Sequence, residues 1–250
     1  MIRPSGTKPL NYSNNMLSII IPTLNEEKRL PKLLEAISKG GFDDYEIIIA
    51  DAGSADKTVE ISRKHGCIIT KGGLPARGRN SGAKVAKGDI LFFMDADVKF
   101  APKNFVKKSV DYFKENDLTV ASFHIFPQKN NFYLNPLTLN LFYNFPQIIL
   151  KNAFAMGAMG IMVKKDVFEK VGGFDESITL AEDVYFTTQA CKYGKFDIIR
   201  GVRIYMPLRR YEKDGYWRTA FKYLKCGLKM GFLGKAERKV RYDFGHYDKR

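Results

Sequence analysis

"DILFFMDAD", residues 89–97, drives five apolar residues into two aspartates separated by one alanine. A strand covered on both faces reads as such a continuous apolar run. A buried carboxylate without a counter-charge is costly, so a strand that ends in Asp95 and Asp97 points them at something cationic beyond its carboxyl end. The same grammar recurs upstream. "LSIIIP" (17–22), "YEIIIAD" (45–51) and "CIIT" (67–70) read as strands. Between them "EKRLPKLLEAISK" and "DKTVEISRKHG" read as amphipathic helices, the second ended by Gly66, and "ARGRNSGAKVAKG" as a helix stopped by Gly88. Four strand–helix alternations predict an α/β fold, a Rossmann-like, mostly parallel sheet with right-handed crossovers and helices on both faces.

Each strand ends in polar residues: Thr23, Asn25 and Glu26, then Asp51 and Ser54, then Asp95 and Asp97. In sheets of this kind ligands sit beyond the carboxyl ends of the strands, so these residues are expected on one functional rim. Past residue 100 the alternation loosens. "APKNFVKKSVDYFKEN" reads as a helix, "LTVASFHIF" as a strand, residues 133–152 as an apolar helical stretch, and "GAMGIMV" as a return to the sheet. "KKDVFEKVGGF" and "LAEDVYFTTQACKYG" read as two further helices. A soft boundary near residue 199 divides a catalytic domain, 1–199, from a basic amphipathic extension, 200–250.

The 250 residues suffice for one catalytic-sized domain with a tail, and 45% hydrophobic with 27% charged residues excludes a disordered or fibrous chain. Lys and Arg number 41 against 27 Asp and Glu, a net charge of +14, which implies an anionic partner. Of that surplus, residues 200–250 carry 15 basic against 5 acidic residues. Three cysteines without metal-like or disulfide-like spacing fit a reducing cytosol. The polar N-terminus has no secretory apolar core. The uncharged stretch between Lys129 and Lys151 holds too many Asn, Gln and Pro residues to span a bilayer, and reads as a surface-seeking or acceptor-facing segment.

Two carboxylates one residue apart at a strand end can share Mg²⁺ or Mn²⁺ with an incoming diphosphate, because these hard cations favour oxygen ligands and keep sites open for phosphate. Alone, Asp-x-Asp is a common surface pattern; the apolar strand ahead of it gives it weight. In "DAGSADKT" (51–58) Asp56 suits a helix cap, whereas Asp51, at the strand tip, is left over by capping. In "TLAEDVYF" (179–186) Glu182 and Asp183 open a helix, where acidic residues commonly just meet the helix dipole, but where a general base is the functional alternative.

With "SIIIPTLNEE", "EIIIADAGSADKT", "ARGRNSGAKVAKGDILFFMDADV" and "VGGFDESITLAEDVYFTTQACKYG" in this order, residues 17–200 resemble family 2 glycosyltransferases of the GT-A fold. The later "RRYEKDGYWR" (209–218) is similar to the segment that follows the core in some small members. The resemblance implies a nucleoside-diphosphate sugar as donor, a divalent cation (Mg or Mn), and inversion by direct displacement. It implies that Pro22, Thr23, Leu24 and Glu26 line the nucleotide pocket, that Asp51 bonds the base, and that Arg77 or Arg79 reaches the base or diphosphate. Asp95 would contact the ribose or the cation's shell, Asp97 would ligate the cation, Asp183 would be the base, and Glu182 would support the acceptor. Leu24 stands where many relatives carry Tyr. The Gln-x-x-Arg-Trp element of processive synthases is absent, although Arg209 and Arg210 are placed to serve the diphosphate.

A sugar hydroxyl needs a base and a lipid phosphate does not, so the Glu-Asp pair favours a hydroxyl of a glycan, glycolipid or lipid-linked acceptor. The alternatives are transfer to polyprenyl or dolichyl phosphate, a sugar-phosphate nucleotidyltransferase, and a non-catalytic basic adaptor. In "GYWRTAFKYLKCGLKMGFLGK" (215–235) Trp217, Phe221, Leu224 and Leu228 form one helical stripe among basic residues. That helix would pack on the core or lie on an anionic membrane surface, which would make the protein cytoplasmic and peripheral on the cytoplasmic face of the membrane. No nucleic-acid motif accompanies the charge, so nucleic acid is not an expected partner.

Overall fold

The computed structural model describes residues 16–129, 135–150, 157, 159–219 and 221–222. Strands β1 (Leu17–Thr23), β2 (Tyr45–Asp51), β3 (Ile68–Lys71) and β4 (Ile90–Met94) alternate with helices α1 (Leu30–Ser38), α2 (Thr58–Lys64) and α3 (Pro75–Val85). After β5 (Lys99–Ala101) come α4 (Phe105–Glu115) and β6 (Val120–Pro127). A helical segment follows: α5 (Pro136–Leu139), a π turn (Asn140–Asn144) and α6 (Phe145–Leu150). The chain then forms β7 (Gly160–Lys164), α7 (Lys165–Val171), α8 (Glu182–Ala190), β8 (Phe196–Met206) and α9 (Arg209–Asp214).

One eight-stranded sheet has the order β3-β2-β1-β4-β7-β6-β8-β5. The pairs β1/β2, β1/β4, β2/β3 and β6/β8 are parallel, while β7 runs antiparallel to both β4 and β6, and β5 antiparallel to β8. The α/β class, the mostly parallel sheet and the helices on both faces therefore stand. The central strands alternate in two directions at once. Ile90, Phe92 and Met94 of β4 join Leu33, Leu34, Phe105 and Val110 of α1 and α4 on one face. Leu91 and Phe93 join Ala76, Ala83, Val167 and Phe186 of α3, α7 and α8 on the other. Period two on both faces is what an uninterrupted apolar run becomes in a sheet sandwiched between helices.

Three elements depart from the sequence reading. The three-residue edge strand β5 takes in Ala101, which the periodicity assigned to the following helix. The strand expected from residue 157 begins at Gly160. Residue 199 lies inside β8, an eleven-residue strand paired with β6 from Phe196 to Met206. Residues 1–15 and 223–250, including Leu224 and Leu228 of the expected amphipathic stripe, lie outside the described residues.

In the strand order β1 sits between β2 and β4, and the crossover helices change faces there, α1 lying on one side and α3 on the other. That is the switch point at which a crevice opens beyond the strand ends. Helix α3 comes unusually close to β1: a Cβ on Gly82 would stand 2.4 Å from Ile20 Cγ2, and one on Gly78 3.1 Å from Pro22 Cβ. This close seating brings Arg79, on the buried face of α3, to the rim of the crevice.

Candidate active site

Beyond β1 and β2 two loops are sewn together. The Asn25 N–H donates to Ser54 Oγ (2.9 Å), the Glu26 N–H to Thr58 Oγ1 (2.8 Å), and the Ala55 N–H to Asn25 Oδ1 (2.9 Å). Asp56 accepts the Thr58 N–H and hydroxyl and the Glu27 N–H. Although it is partly desolvated, those hydrogen bonds hold its carboxyl below the usual range. It acts one residue ahead of the helix boundary at Lys57, close to the capping role read from the sequence. Asp51 is not left over by the turn. Its carboxylate accepts from Gly53 N, Ser54 N, Ser54 Oγ and Thr23 Oγ1, two donors on each oxygen, which fills its acceptor capacity. Asp51 shapes the floor of the crevice, and a ligand could reach its oxygens only by displacing one of these donors.

The two aspartates after β4 meet different arginines. Arg79, 5% exposed, donates through Nη2 to Asp95 Oδ1 (3.0 Å) and through Nη1 to Glu182 Oε1 (2.6 Å), and its guanidinium lies 5.3 Å from the centre of the Phe174 ring. Burial alone would weaken its proton; the carboxylates of Asp95, Glu182 and Asp183 outweigh that and hold it more firmly charged than usual. Of the two arginines the sequence left open, Arg79 enters the crevice and Arg77 is exposed. Arg209, at the start of α9, donates through Nη2 to Asp97 Oδ2 and lies 3.4 Å from Glu26 Oε1. Burial, and then the repulsion between Asp97 and its acidic neighbours, raises the carboxyls of both Asp97 and Glu26, against the pull of Arg209. Arg210 follows in the same helix, with its side chain outside the description.

Asp183 sits in the first turn of α8, where its Oδ1 accepts the Val184 N–H at 2.8 Å. Burial first, and then Glu182 beside it, push its carboxyl up to about 7, although Arg79 opposes the shift. The start of α8 rests on aromatic packing: Phe174 and Phe186 stack with ring centres 4.2 Å apart, and Phe93 meets Phe174 edge-on at 5.1 Å.

Five further features complete the site, of which the sequence reading singled out only Asn25, as a polar residue of the rim. Gln128 Nε2 donates to the carbonyls of Asp97 (2.8 Å) and Tyr205 (3.0 Å) and so ties the Asp97 loop to β8. Asn25, Met159 and Ala181 hold left-handed backbone, with φ of 56°, 59° and 60°. Met159 accepts the Asp95 N–H, and Ala181 caps α8, so side chains that resist this conformation stand beside both acidic clusters. Tyr143, in the π turn, feels the charge of Asp183, and its buried hydroxyl has no hydrogen-bond partner. No local sequence signal marks Met159, Ala181 or Tyr143; a π turn at a functional site is a recurrent feature.

The arrangement is a charge ladder of two arginine-centred rungs, Glu26–Arg209–Asp97 and Asp95–Arg79–Glu182, with Asp183 at its end. Pro22, Thr23 and Leu24 close the β1 side; Pro22 and Thr23 are buried and Leu24 is partly open. Among the described residues no group of three or more His, Cys, Asp or Glu side chains could by itself enclose a metal ion. The carboxylates of Asp97 and Asp95 fit the other mode of hard-cation binding, in which one or two protein oxygens leave the remaining positions to a ligand. Asp97, whose carboxyl is raised by desolvation and by its neighbour Asp95, is one that a cation would relieve.

Comparison with known proteins yields a consistent set. A model of the family described as Glycosyl transferase family 2 matches residues 18–201. The 4,4'-diaponeurosporenoate glycosyltransferase of Staphylococcus haemolyticus is 26% identical over 238 residues, covering 87% of this chain and 59% of that protein. The O-antigen chain rhamnosyltransferase RfbN of Salmonella typhimurium is 26% identical over 199 residues, covering 71% of this chain and 62% of that protein. The chain thus spans about six-tenths of the length of these relatives. Among solved structures, the mannosyltransferase PcManGT from Pyrobaculum calidifontis in complex with GDP-Man and Mn²⁺ superposes with a TM-score of 0.65 at 18% identity, covering 92% of this chain and 69% of that one.

Proposed function

The chain belongs to glycosyl transferase family 2, and on that footing we propose that it moves a sugar from a nucleoside-diphosphate sugar to a hydroxyl of a glycan, glycolipid or lipid-linked acceptor, with inversion at the anomeric carbon. The observation that carries this reading is the charge ladder beyond β1 and β4, which ends in a carboxyl raised to about 7. Pro22, Thr23, Leu24 and Glu26 line the nucleotide side, and Arg79, fixed in the core, and Arg209, on the short helix α9, supply the positive charge that a diphosphate needs. Asp97, with Asp95 beside it, would hold the divalent cation. Such an ion, when bound, neutralises charge that develops on the leaving diphosphate.

At Asp183 one oxygen is engaged by the Val184 N–H, and Oδ2 is the atom that takes the acceptor proton. As the acceptor oxygen bonds to the anomeric carbon, the bond from that carbon to the diphosphate oxygen breaks and the proton passes to Asp183. A carboxylate whose pKa lies near neutrality is better matched to this transfer than an ordinary aspartate. The same site would repel a phosphate acceptor, which is already anionic and needs no base, so this geometry disfavours polyprenyl phosphate. The relatives named for 4,4'-diaponeurosporenoate and for the O-antigen chain support the acceptor class, and the neighbour holding GDP-Man and Mn²⁺ supports the donor class. We place the protein at the cytoplasmic face of the membrane, attracted to anionic lipid by the basic surplus after residue 200.

Thermal-shift titration with nucleoside diphosphates, with and without Mn²⁺, tests the donor site, because a ligand that binds only the folded state raises its melting temperature. One diphosphate should act with Mn²⁺, and Asp97→Asn should lose the Mn²⁺-dependent part. If no diphosphate stabilises the wild-type protein with or without the ion, the assignment fails.

A further inference from the structure

The segment from α5 through the π turn to α6 is amphipathic the wrong way round for a helix in water. Its inward side carries the buried polar residues Asn144 (2% exposed) and Gln147 (0%), whereas Leu137, Leu141, Phe145 and Ile148 are 75, 56, 57 and 47% exposed. Their spacings of four, four and three residues place these four side chains on one stripe. Asn144 is not loosely held: its amide bridges Ile125 O and Asn140 Oδ1, and its oxygen accepts the Ile125 N–H, so the inward orientation is fixed. An aligned row of large apolar side chains, turned outward while Asn144 and Gln147 face inward beside Leu139, marks a surface meant for apolar surroundings.

Building on the membrane reading above, we propose that this stripe is a membrane-insertion face, which lies in the headgroup boundary of an anionic bilayer and sets the active site against the lipid. Three observations choose a bilayer over a second copy of the chain. First, no charged residue occurs between Lys129 and Lys151, so nothing charged on this segment resists entry into the boundary. Second, Leu139 of α5 packs in one cluster with Met206 and Leu208, joined by Tyr143 and Tyr211, so the segment is anchored beside α9 and the chain that continues into Trp217 and Phe221. Trp217 and Phe221 are 66 and 64% exposed. Residues 209–222 mix these aromatics with five basic and two acidic residues, the composition of a membrane-interface rim. Third, residues 200–250 carry ten surplus positive charges by sequence, a surplus complementary to anionic lipid. Among the described residues no helix is long and apolar enough to cross a membrane, so the contact lies in the plane of the surface.

The placement has a consequence for chemistry. Tyr143 stands on the same segment, between Leu141 and Phe145, with its hydroxyl buried and its charge environment influenced by Asp183, so the segment that meets lipid also borders the site.

The test is vesicle co-sedimentation of the full chain on neutral phosphatidylcholine and on mixtures with phosphatidylglycerol, at low and high salt. Wild type is compared with Leu141→Ser/Phe145→Ser and Leu137→Ser/Ile148→Ser. Trp217, the only tryptophan, reports insertion by a blue shift of its emission. Wild type should bind the anionic vesicles, with part of the binding surviving high salt, and each double variant should bind at least roughly tenfold more weakly, because the buried apolar area is what is removed. Unchanged melting temperatures and an unchanged nucleoside-diphosphate shift would show that the variants are folded and the donor site intact. Variants that bind like wild type would overturn the insertion face while leaving charge-driven attachment standing. No binding by any form would overturn the membrane reading as well, and a wild-type dimer in light scattering that the variants lose would assign the stripe to a second copy instead.

Discussion

Replacing Asp183 with Asn should stabilise the protein while abolishing transfer. In the folded state burial and Glu182 raise this carboxyl to about 7, from the 3.8 of an unhindered aspartate, with Arg79 only partly offsetting them. A carboxyl whose pKa is raised by folding contributes stability below the unfolded value, and that contribution is lost as pH climbs through the folded value. A rise from 3.8 to about 7, discounted for the partial exposure of the side chain, amounts to roughly 2–4 kcal/mol of strain carried by the wild type above pH 7. Asn cannot ionise and escapes that strain. Urea unfolding of both forms between pH 4 and pH 8 should therefore give curves that nearly coincide at pH 4, separate through the interval up to about 7, and stay apart above it. Sugar transfer to a hydroxyl acceptor should rise with pH through the same region in the wild type and be lost in the variant, while donor binding persists. Equal stabilities at pH 8 would refute the claim that Asp183 is held ionised at a cost, and full transfer activity in the variant would remove it from the chemistry.

Arg79→Met should cost about 3–5 kcal/mol in urea unfolding, because Glu182 and Asp95 lose the cation that neutralises them in a buried site. Arg209→Ala should enlarge the thermal shift produced by Mn²⁺, since the competing cation on Asp97 is removed; a shift no larger than that of the wild type would mean that ion and arginine do not share Asp97. Gly82→Ala should destabilise by roughly 1–3 kcal/mol through overpacking against Ile20, checked by its denaturation midpoint. Tyr143→Phe should leave the fold as stable or up to about 1–2 kcal/mol more so, because it removes a buried hydroxyl that has no partner, while raising the KM for acceptor more than that for donor.

Much of the donor half of the site was legible because its signals are local. The apolar runs of β1, β2 and β4, the spacing within α1 and α2, and the polar residues after each strand are all contained in windows of a dozen residues. Arg79 could have been separated from Arg77 by the same means: Ala76, Arg79 and Ala83 fall on one face of α3 with Gly82, and Arg77 does not. What escaped depends on partners distant in sequence. The reversal of β7, the edge strand β5 and the continuation of the sheet through residue 199 are decisions about pairing, and a short strand has the same composition whichever neighbour it bonds. Asp51 was read as surplus because a capping pattern does not show that Thr23, 28 residues away, also uses its carboxylate. Gln128 and Tyr143 carry no motif at all, and their roles exist only once β6 and the π turn are set beside the Asp97 loop and α8.

The charge ladder also explains why the arginines come from such separate places. A cluster of Glu26, Asp95, Asp97, Glu182 and Asp183 could not stay ionised at one rim without cations, and exposed lysines would be too hydrated to follow the carboxylates into a half-buried crevice. Arg79 is delivered by a helix whose glycines let it press onto β1, so it is rigidly fixed and serves the Asp95 and Glu182 end. Arg209 arrives on the short helix α9, after the last strand, and serves the Glu26 and Asp97 end. The two ends therefore differ in mechanical character. The arginine beside Asp183 belongs to the packed core and cannot leave without unfolding, whereas the arginine on Asp97 sits on a six-residue helix, where exchange for another cation requires only local movement. A donor-binding end that can trade its counter-charge and a catalytic end that cannot are what an enzyme needs if it must bind and release a charged diphosphate while keeping its base in one place.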